Sequence, residues 1–262
     1  MSGRLVGADL RDLRHAKRLL EQTSLAIRIS NVIGIPIERG IEMLPKRASA
    51  IVTGATRRAL QSALRFALVT LADDPGEPSA DLFHKVLVTA TGAGGGLFGL
   101  PALAIELPIS TTIMLRSIAD VARSEGERIM EPDTKLACLQ VFALGGRAKN
   151  DDAAESAYFA IRATLARALS EAAQFMAEKG IAQEGAPAIV RFIVQVAARY
   201  GVVVSEKTAA QALPLIGAAG GAVVNALFMD HFQDVARGHF IVRRLERTYD
   251  HETVRQAYVE AR

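Results

Sequence analysis

Tryptophan is absent from this 262-residue chain, cysteine occurs once, and aromatic residues make up only 5% of it. The single Cys138 excludes an intramolecular disulfide and any cysteine-based zinc centre, so a reducing compartment is the natural reading and a small core side chain its plainest role. A secretory signal is missing too. Arg4, Asp9, Arg11, Asp12, Arg14, Lys17 and Arg18 stand where its apolar region would lie, and a cytoplasmic protein is expected. The chain has no H-E-x-x-H, G-x-S-x-G or S-x-x-K, the signatures of zinc metalloproteases, hydrolase elbows and Ser-Lys nucleophiles. The one β-branched run outside a helical pattern, Val202-Val203-Val204, is followed at once by a capping Ser205, so no sheet is expected.

What remains is helical. Half of the residues are apolar, and mean hydropathy is +0.20, carried by Ala, Leu, Val and Ile, a composition that favours closely packed helices. Apolar residues between Asp9 and Ile33 recur at three- and four-residue spacing and predict one helix, ended by Gly34 and Pro36. Further helices are predicted from Pro36 to Met43, from about Lys46 to Ala72, and after Pro108 to Gly126. Others follow from Pro132 to the Gly145-Gly146 stop, from Asp151 or Asp152 to Lys179, and from Pro187 to Arg199. The last three run from Ser205 toward Pro214, from about Ile216 to Tyr249, and from His251 to Ala261. The expected fold class is all-α, one multi-helix domain over residues 1–262. The acidic, proline-rich segment Asp73-Asp74-Pro75-Gly76-Glu77-Pro78 is the natural exposed loop and hinge.

Charge is unevenly spread. Residues 1–70 carry twelve Lys and Arg against five Asp and Glu, whereas residues 71–155 carry seven against thirteen. The basic end can face anionic lipid or an acidic partner, or pair with the acidic middle of its own chain. The later run from Arg237 through Arg243, Arg244 and Arg247 forms a basic amphipathic segment open to the same readings. It lacks the aromatic stacking platform that nucleic acid would use, so no nucleic-acid partner is expected.

Two charge-free stretches dominate the pattern, Val86 to Ile105 with 20 residues and Thr208 to Met229 with 22. Each matches the roughly 20 residues of a membrane span, but Gly92, Gly94, Gly95, Gly96, Gly99 and Pro101 in the first, and Gln211, Pro214, Gly217, Gly220, Gly221 and Asn225 in the second, suit hydrocarbon poorly. Gly94 to Gly99 fits G-x-G-x-x-G, but Pro101 interrupts the helix that should follow and no βα units exist to build a nucleotide-binding sheet. Gly92/Gly96 and Gly217/Gly221 are small-xxx-small pairs that let a second backbone approach closely. The stretches are therefore read as Gly/Ala-rich helical hairpins interrupted by Pro101, Pro108 and Pro214.

Candidate polar sites lie at the edges of these stretches. Glu106 directly follows the first, so its carboxylate should be partly desolvated and have a raised pKa or a partner; it is read as general acid, ligand or brace of the Pro108 kink. Asn225 lies within the second. Asp230, His231 and Asp234 share one helix face and could hold a metal or be ion-paired with Arg237 and Arg243. Asp12-x-x-His15 and Asp81-x-x-His84 approach a di-iron spacing, but both use Asp, the first sits among Arg11, Arg14 and Lys17, and both are read as surface.

The segments Gly92-Ala-Gly-Gly-Gly-Leu-Phe-Gly-Leu-Pro101, Glu106 to Asp120, and Pro214 to Asn225 are similar to those of the EcsC protein family. That resemblance implies a bacterial cytoplasmic protein with a membrane or transporter connection, and it supplies no catalytic residues or cofactor. The expected function is a non-catalytic accessory at the inner membrane face that holds a lipid or membrane-protein partner against the hairpins. The rivals are a metal-dependent enzyme using Glu106 with Asp230, His231 and Asp234, and a homo-oligomeric scaffold joined through the glycine faces.

Overall fold

The computed structural model describes residues 5–21, 24–70, 100–146, 157–179, 186–213 and 217–261. Among them are ten helices and no strand. The helices are α1 (Gly7–Leu20), α2 (Leu25–Ile33), α3 (Ile37–Met43), α4 (Ala48–Thr70), α5 (Leu100–Ser124), α6 (Pro132–Leu144), α7 (Ala157–Lys179), α8 (Pro187–Gln211), α9 (Gly217–Tyr249) and α10 (His251–Glu260). The loop at 73–78, Asp81 and His84, the caps at Asp151 and Asp152, and Gly92 and Gly96 lie outside the described residues.

Helix α6 is the axis. Every residue from Thr134 to Leu144 is buried, as expected of a helix packed on all sides, and α4, α5, α7, α8 and α9 surround it. Helix α4 lies along α5 and α8, α1 along α9, and the short α2 and α3 sit on α8. One continuous apolar core draws on all ten helices, from Leu13 on α1 to Tyr258 on α10. Local signals account for many ends. Gly34 stops α2 with φ 73 and its N–H on the Ser30 carbonyl, the left-handed cap that glycine favours. Asp250 opens α10 by accepting from the Thr253 N–H at 2.9 Å.

Three predicted boundaries are corrected. The stretch from Asp9 to Ile33 is two helices, α1 and α2. Leu13, Ala16 and Leu19 pack toward α9, whereas α2 turns Leu25 and Ile29 inward beside α8 and α9, so one straight helix does not serve both contacts. Pro108 does not break its helix; α5 runs through it unbroken. Proline removes one i→i−4 bond, and the carbonyl it frees belongs to Ala104, an exposed residue whose oxygen water can satisfy. The expected break between Arg199 and Ser205 is also absent, since α8 is continuous from Pro187 to Gln211. Ser205 does not cap a new helix; its hydroxyl donates back to the Gly201 carbonyl at 2.8 Å. Valine costs only tenths of a kcal/mol in a helix, about 0.5 kcal/mol relative to alanine, and burial of Val203 and Val204 outweighs that.

Helix α8 is also the one described helix long and apolar enough to cross a membrane, with mean hydropathy 1.5 over its most apolar window. At least six other helices pack against it, and a core helix meets the same criterion. The second charge-free stretch is divided between the end of α8 and the start of α9, which pack against each other as a helical hairpin.

Candidate functional site

Where α5, α8 and α9 meet, the charges that border the two charge-free stretches come together. Glu106, just after the first, is 7% exposed, and Lys207, just before the second, is 0% exposed. The Lys207 ammonium donates to Glu106 Oε1 at 2.5 Å, and Asn225 Nδ2 donates to the same oxygen at 3.3 Å. Lys207 Nζ also stands 4.9 Å above the Phe228 ring, a favourable cation–π position. Of the expected site residues, Glu106 and Asn225 are thus brought together. Lys207 is the member that sequence reasoning missed, although its place at the border of a charge-free stretch, opposite in sign to Glu106, was the available signal.

An aromatic wall backs this pair. Tyr200 packs against Phe142, Phe228 and Phe232, and its hydroxyl bonds Thr111 at 2.9 Å. Burial pushes the Tyr200 phenol well above its ordinary range, against the opposing Thr111 hydrogen bond, with the Glu106 charge adding to the rise. The tyrosine therefore stays neutral, as does Cys138, whose thiol burial raises far above its usual value.

His231 and Asp234 are held by other elements. His231 Nε2 donates to the Gly145 carbonyl at 2.9 Å, at the end of α6, and Asp234 accepts from Arg28 of α2 at 3.4 Å. No group of three or more His, Cys, Asp or Glu side chains is gathered as a metal ion requires among the described residues. Glu106 Oε1 already accepts from the Lys207 ammonium. Gly221 is buried within the chain, and Gly217 opens α9.

The basic run of α9 is spent internally. Arg243 binds Glu127 at 2.8 Å and Asp133 at 2.9 Å, and Arg244 binds Glu125 and Asp12 at 2.8 Å. Arg247 also pairs with Glu127. Burial alone would raise the Glu127 pKa, but the Arg243 hydrogen bond and the Arg243 and Arg247 charges, with Thr134, hold it below the usual carboxylate value. Nearby, Arg162 makes a bidentate pair with Glu246 at 2.7 and 2.8 Å and donates to the Tyr158 hydroxyl at 3.2 Å. The Tyr158 proton is thereby directed to His239 Nδ1, 2.9 Å away. Burial and the charges of Arg162 and Arg243 keep His239 neutral, its pKa well below the ordinary value. These groups tie α9 to α1, α6, α7 and the connection between α5 and α6.

The first basic region differs. Arg39, Lys46, Arg47, Arg57 and Arg58 lie between the start of α3 and the middle of α4, where the only acids are Glu38 and Glu42. None of the five has an ion pair or side-chain hydrogen bond among the described residues. Apolar side chains stand exposed in the same region: Ile27, Val32, Ile41, Met43 and Ile51, of which Met43 is 53% and Val32 57% accessible. A cleft of about 320 Å³ between α4 and α8 opens beside it, lined by Val52, Arg57, Val194 and Val202 among others.

Glu206 lies under this corner. It accepts from the Ala26 N–H in the first turn of α2, an end that Ser24 leaves without a side-chain cap. Burial pushes its carboxyl up to about 7, the Ala26 hydrogen bond opposes, and Glu38 adds to the rise. Its folded pKa therefore exceeds its unfolded value, so its contribution is full below about pH 4.5 and is lost as pH rises through about 7. Glu206→Gln removes that loss. Stability should rise by about 2 kcal/mol at pH 8, discounted for partial exposure, and change little at pH 4. Urea titrations at the two pH values check this, and an unchanged midpoint at pH 8 would remove the assignment.

The described residues define an all-α bundle with a buried Lys–Glu pair at the meeting of three helices. The chain belongs to the EcsC protein family, which matches it over residues 8–245. That span includes all three segments that carried the resemblance in the sequence. No curated protein and no solved structure matches the chain.

Proposed function

We propose that the protein is a non-catalytic accessory that works at the cytoplasmic face of a membrane, in contact with lipid or a membrane-protein partner. The observation that carries this reading is the contrast between the two basic regions. Cations on α9 are matched by Glu125, Glu127, Asp133 and Asp12, whereas Arg39, Lys46, Arg47, Arg57 and Arg58 have no partner among the described residues and stand beside exposed apolar side chains. Unmatched cations beside apolar groups suit an interface where headgroups and acyl chains are presented together. The sequence offered both basic regions to anionic headgroups; this reading keeps the first, since Arg243, Arg244 and Arg247 of the C-terminal one are paired within the chain. The buried Lys207–Glu106 pair is read as a structural strut, since both charges are satisfied within the core.

Fractionation of lysed cells tests the reading. The protein should sediment with membranes at low salt and be released at high salt, and lipid should accompany it when it is purified from the membrane fraction. Protein wholly in the soluble pool at low salt, and free of lipid by mass spectrometry, would overturn it.

A further inference from the structure

The structure points to one specific docking surface: we infer that the outer side of α3 and the start of α4 binds an anionic bilayer, with Ile41, Met43 and Ile51 entering the headgroup boundary and Arg39, Lys46 and Arg47 meeting lipid phosphates. This inference rests on the membrane-face reading above and narrows it to a surface and a lipid class. Helix α3 turns Ile37 and Gly40 inward onto α8 and leaves Arg39, Ile41 and Met43 outward. Its Gly40 lies so close to α8 that a Cβ there would stand 2.2 Å from the Ala209 carbonyl oxygen. The outward side chains are thus carried on a helix pressed closely against α8. Ile41 is 47% exposed, Met43 53% and Ile51 41%.

Charge selects the occupant. From Pro36 to Arg58 there are five cations and two acids, and the cations lack partners among the described residues. A second copy docking by the same surface would set those cations against themselves, because a two-fold contact is self-complementary. A neutral bilayer would leave the positive excess unused. An anionic bilayer satisfies both the apolar and the cationic groups at once, each cation near such a surface favouring association by about fivefold.

Vesicle flotation decides the matter with the full chain, using phosphatidylcholine alone and an equal mixture of phosphatidylcholine and phosphatidylglycerol. The wild type should float with the mixed vesicles and not with phosphatidylcholine. The triple variant Arg39→Gln, Lys46→Gln, Arg47→Gln should bind the mixed vesicles about 100-fold more weakly, and Ile41→Ser with Met43→Ser about tenfold or more. Arg128→Gln, on the far side between α5 and α6, should leave binding unchanged. All of these side chains are exposed, and unaltered thermal melts will show that the variants fold. If the wild type floats and the triple variant floats equally well, this surface is wrong while the membrane reading stands. If the wild type floats with neither vesicle but is retained by immobilised poly-glutamate, the occupant is an acidic protein and both the surface's lipid assignment and the membrane reading fall. Equal flotation with both vesicles overturns the anionic requirement.

Discussion

Replacing Lys207 with Met is expected to destabilise the protein by about 3–5 kcal/mol, because it leaves the Glu106 carboxylate in the core without its counter-charge. The exposures decide the magnitude. A pair at 0% and 7% exposure cannot fall back on water when one member is removed, whereas a surface pair such as Arg128–Glu131, with both side chains more than half exposed, is worth about 0–1 kcal/mol. Asn225 still donates to Glu106 in the variant, but an amide donor does not neutralise a carboxylate, so the protein must either unfold more readily or protonate Glu106. Adding Glu106→Gln to Lys207→Met should recover most of the loss. It removes the second buried charge and keeps a side-chain carbonyl for Asn225 to bond. Urea denaturation of the two single variants and the double variant gives the coupling directly. A Lys207→Met cost below about 1 kcal/mol would mean that the pair is hydrated and would undo its role as a strut. The double variant should also bind anionic vesicles as the wild type does, since the pair lies within the core and not on the docking surface.

The same pair shows what the sequence could and could not disclose. Glu106 stood out because an acid directly after a charge-free stretch has to be desolvated or partnered. Its partner was legible by the same logic applied to a base, since Lys207 borders the other stretch. What was not legible was which face of α8 Lys207 occupies, which depends on α8 continuing through Gly201 and Ser205. Local punctuation misled there and at Pro108 for one reason. A proline, a glycine or a valine run costs a helix from tenths of a kcal/mol to about 3 kcal/mol, and burial on both sides of the residue offsets it, as with Leu107, Val203 and Val204. Where no such burial competes, at Gly34, Pro132, Lys179 and Asp250, the boundaries fell where the cap and stop residues put them. Charge patterning reached its limit at α9. Arg243, Arg244 and Arg247 form the same basic stripe in sequence whether they face lipid or acids of their own chain, and only the packing of α5 and α6 beside them places Glu125, Glu127 and Asp133 within reach.

Glycine supplies the second large effect, and with a sign that reverses between sites. Gly40→Ala should destabilise the protein by about 3 kcal/mol, because the new Cβ would meet the Ala209 carbonyl oxygen at 2.2 Å and its carbon at 2.7 Å. Both are backbone atoms of a continuous helix, so they cannot swing aside as a side-chain end would. Helix α3 must instead lift from α8, which also uncovers Ile37, only 2% exposed in the packed state. Gly54 and Gly201 are helical glycines whose added Cβ would meet nothing within 4 Å. Alanine at either should therefore stabilise by about 0.5–1 kcal/mol through the lower backbone entropy of the unfolded chain and the better helix propensity. The comparison needs only three single substitutions and one denaturant series. It separates close approach from propensity, since helix propensity alone predicts a gain at all three positions. A gain at Gly40 would show that α3 is not seated on α8, and would remove the rigid base on which Arg39, Ile41 and Met43 are presented. A loss at Gly40 with intact secondary structure should bring weaker binding to anionic vesicles as well, because those side chains are carried on the helix that the substitution displaces.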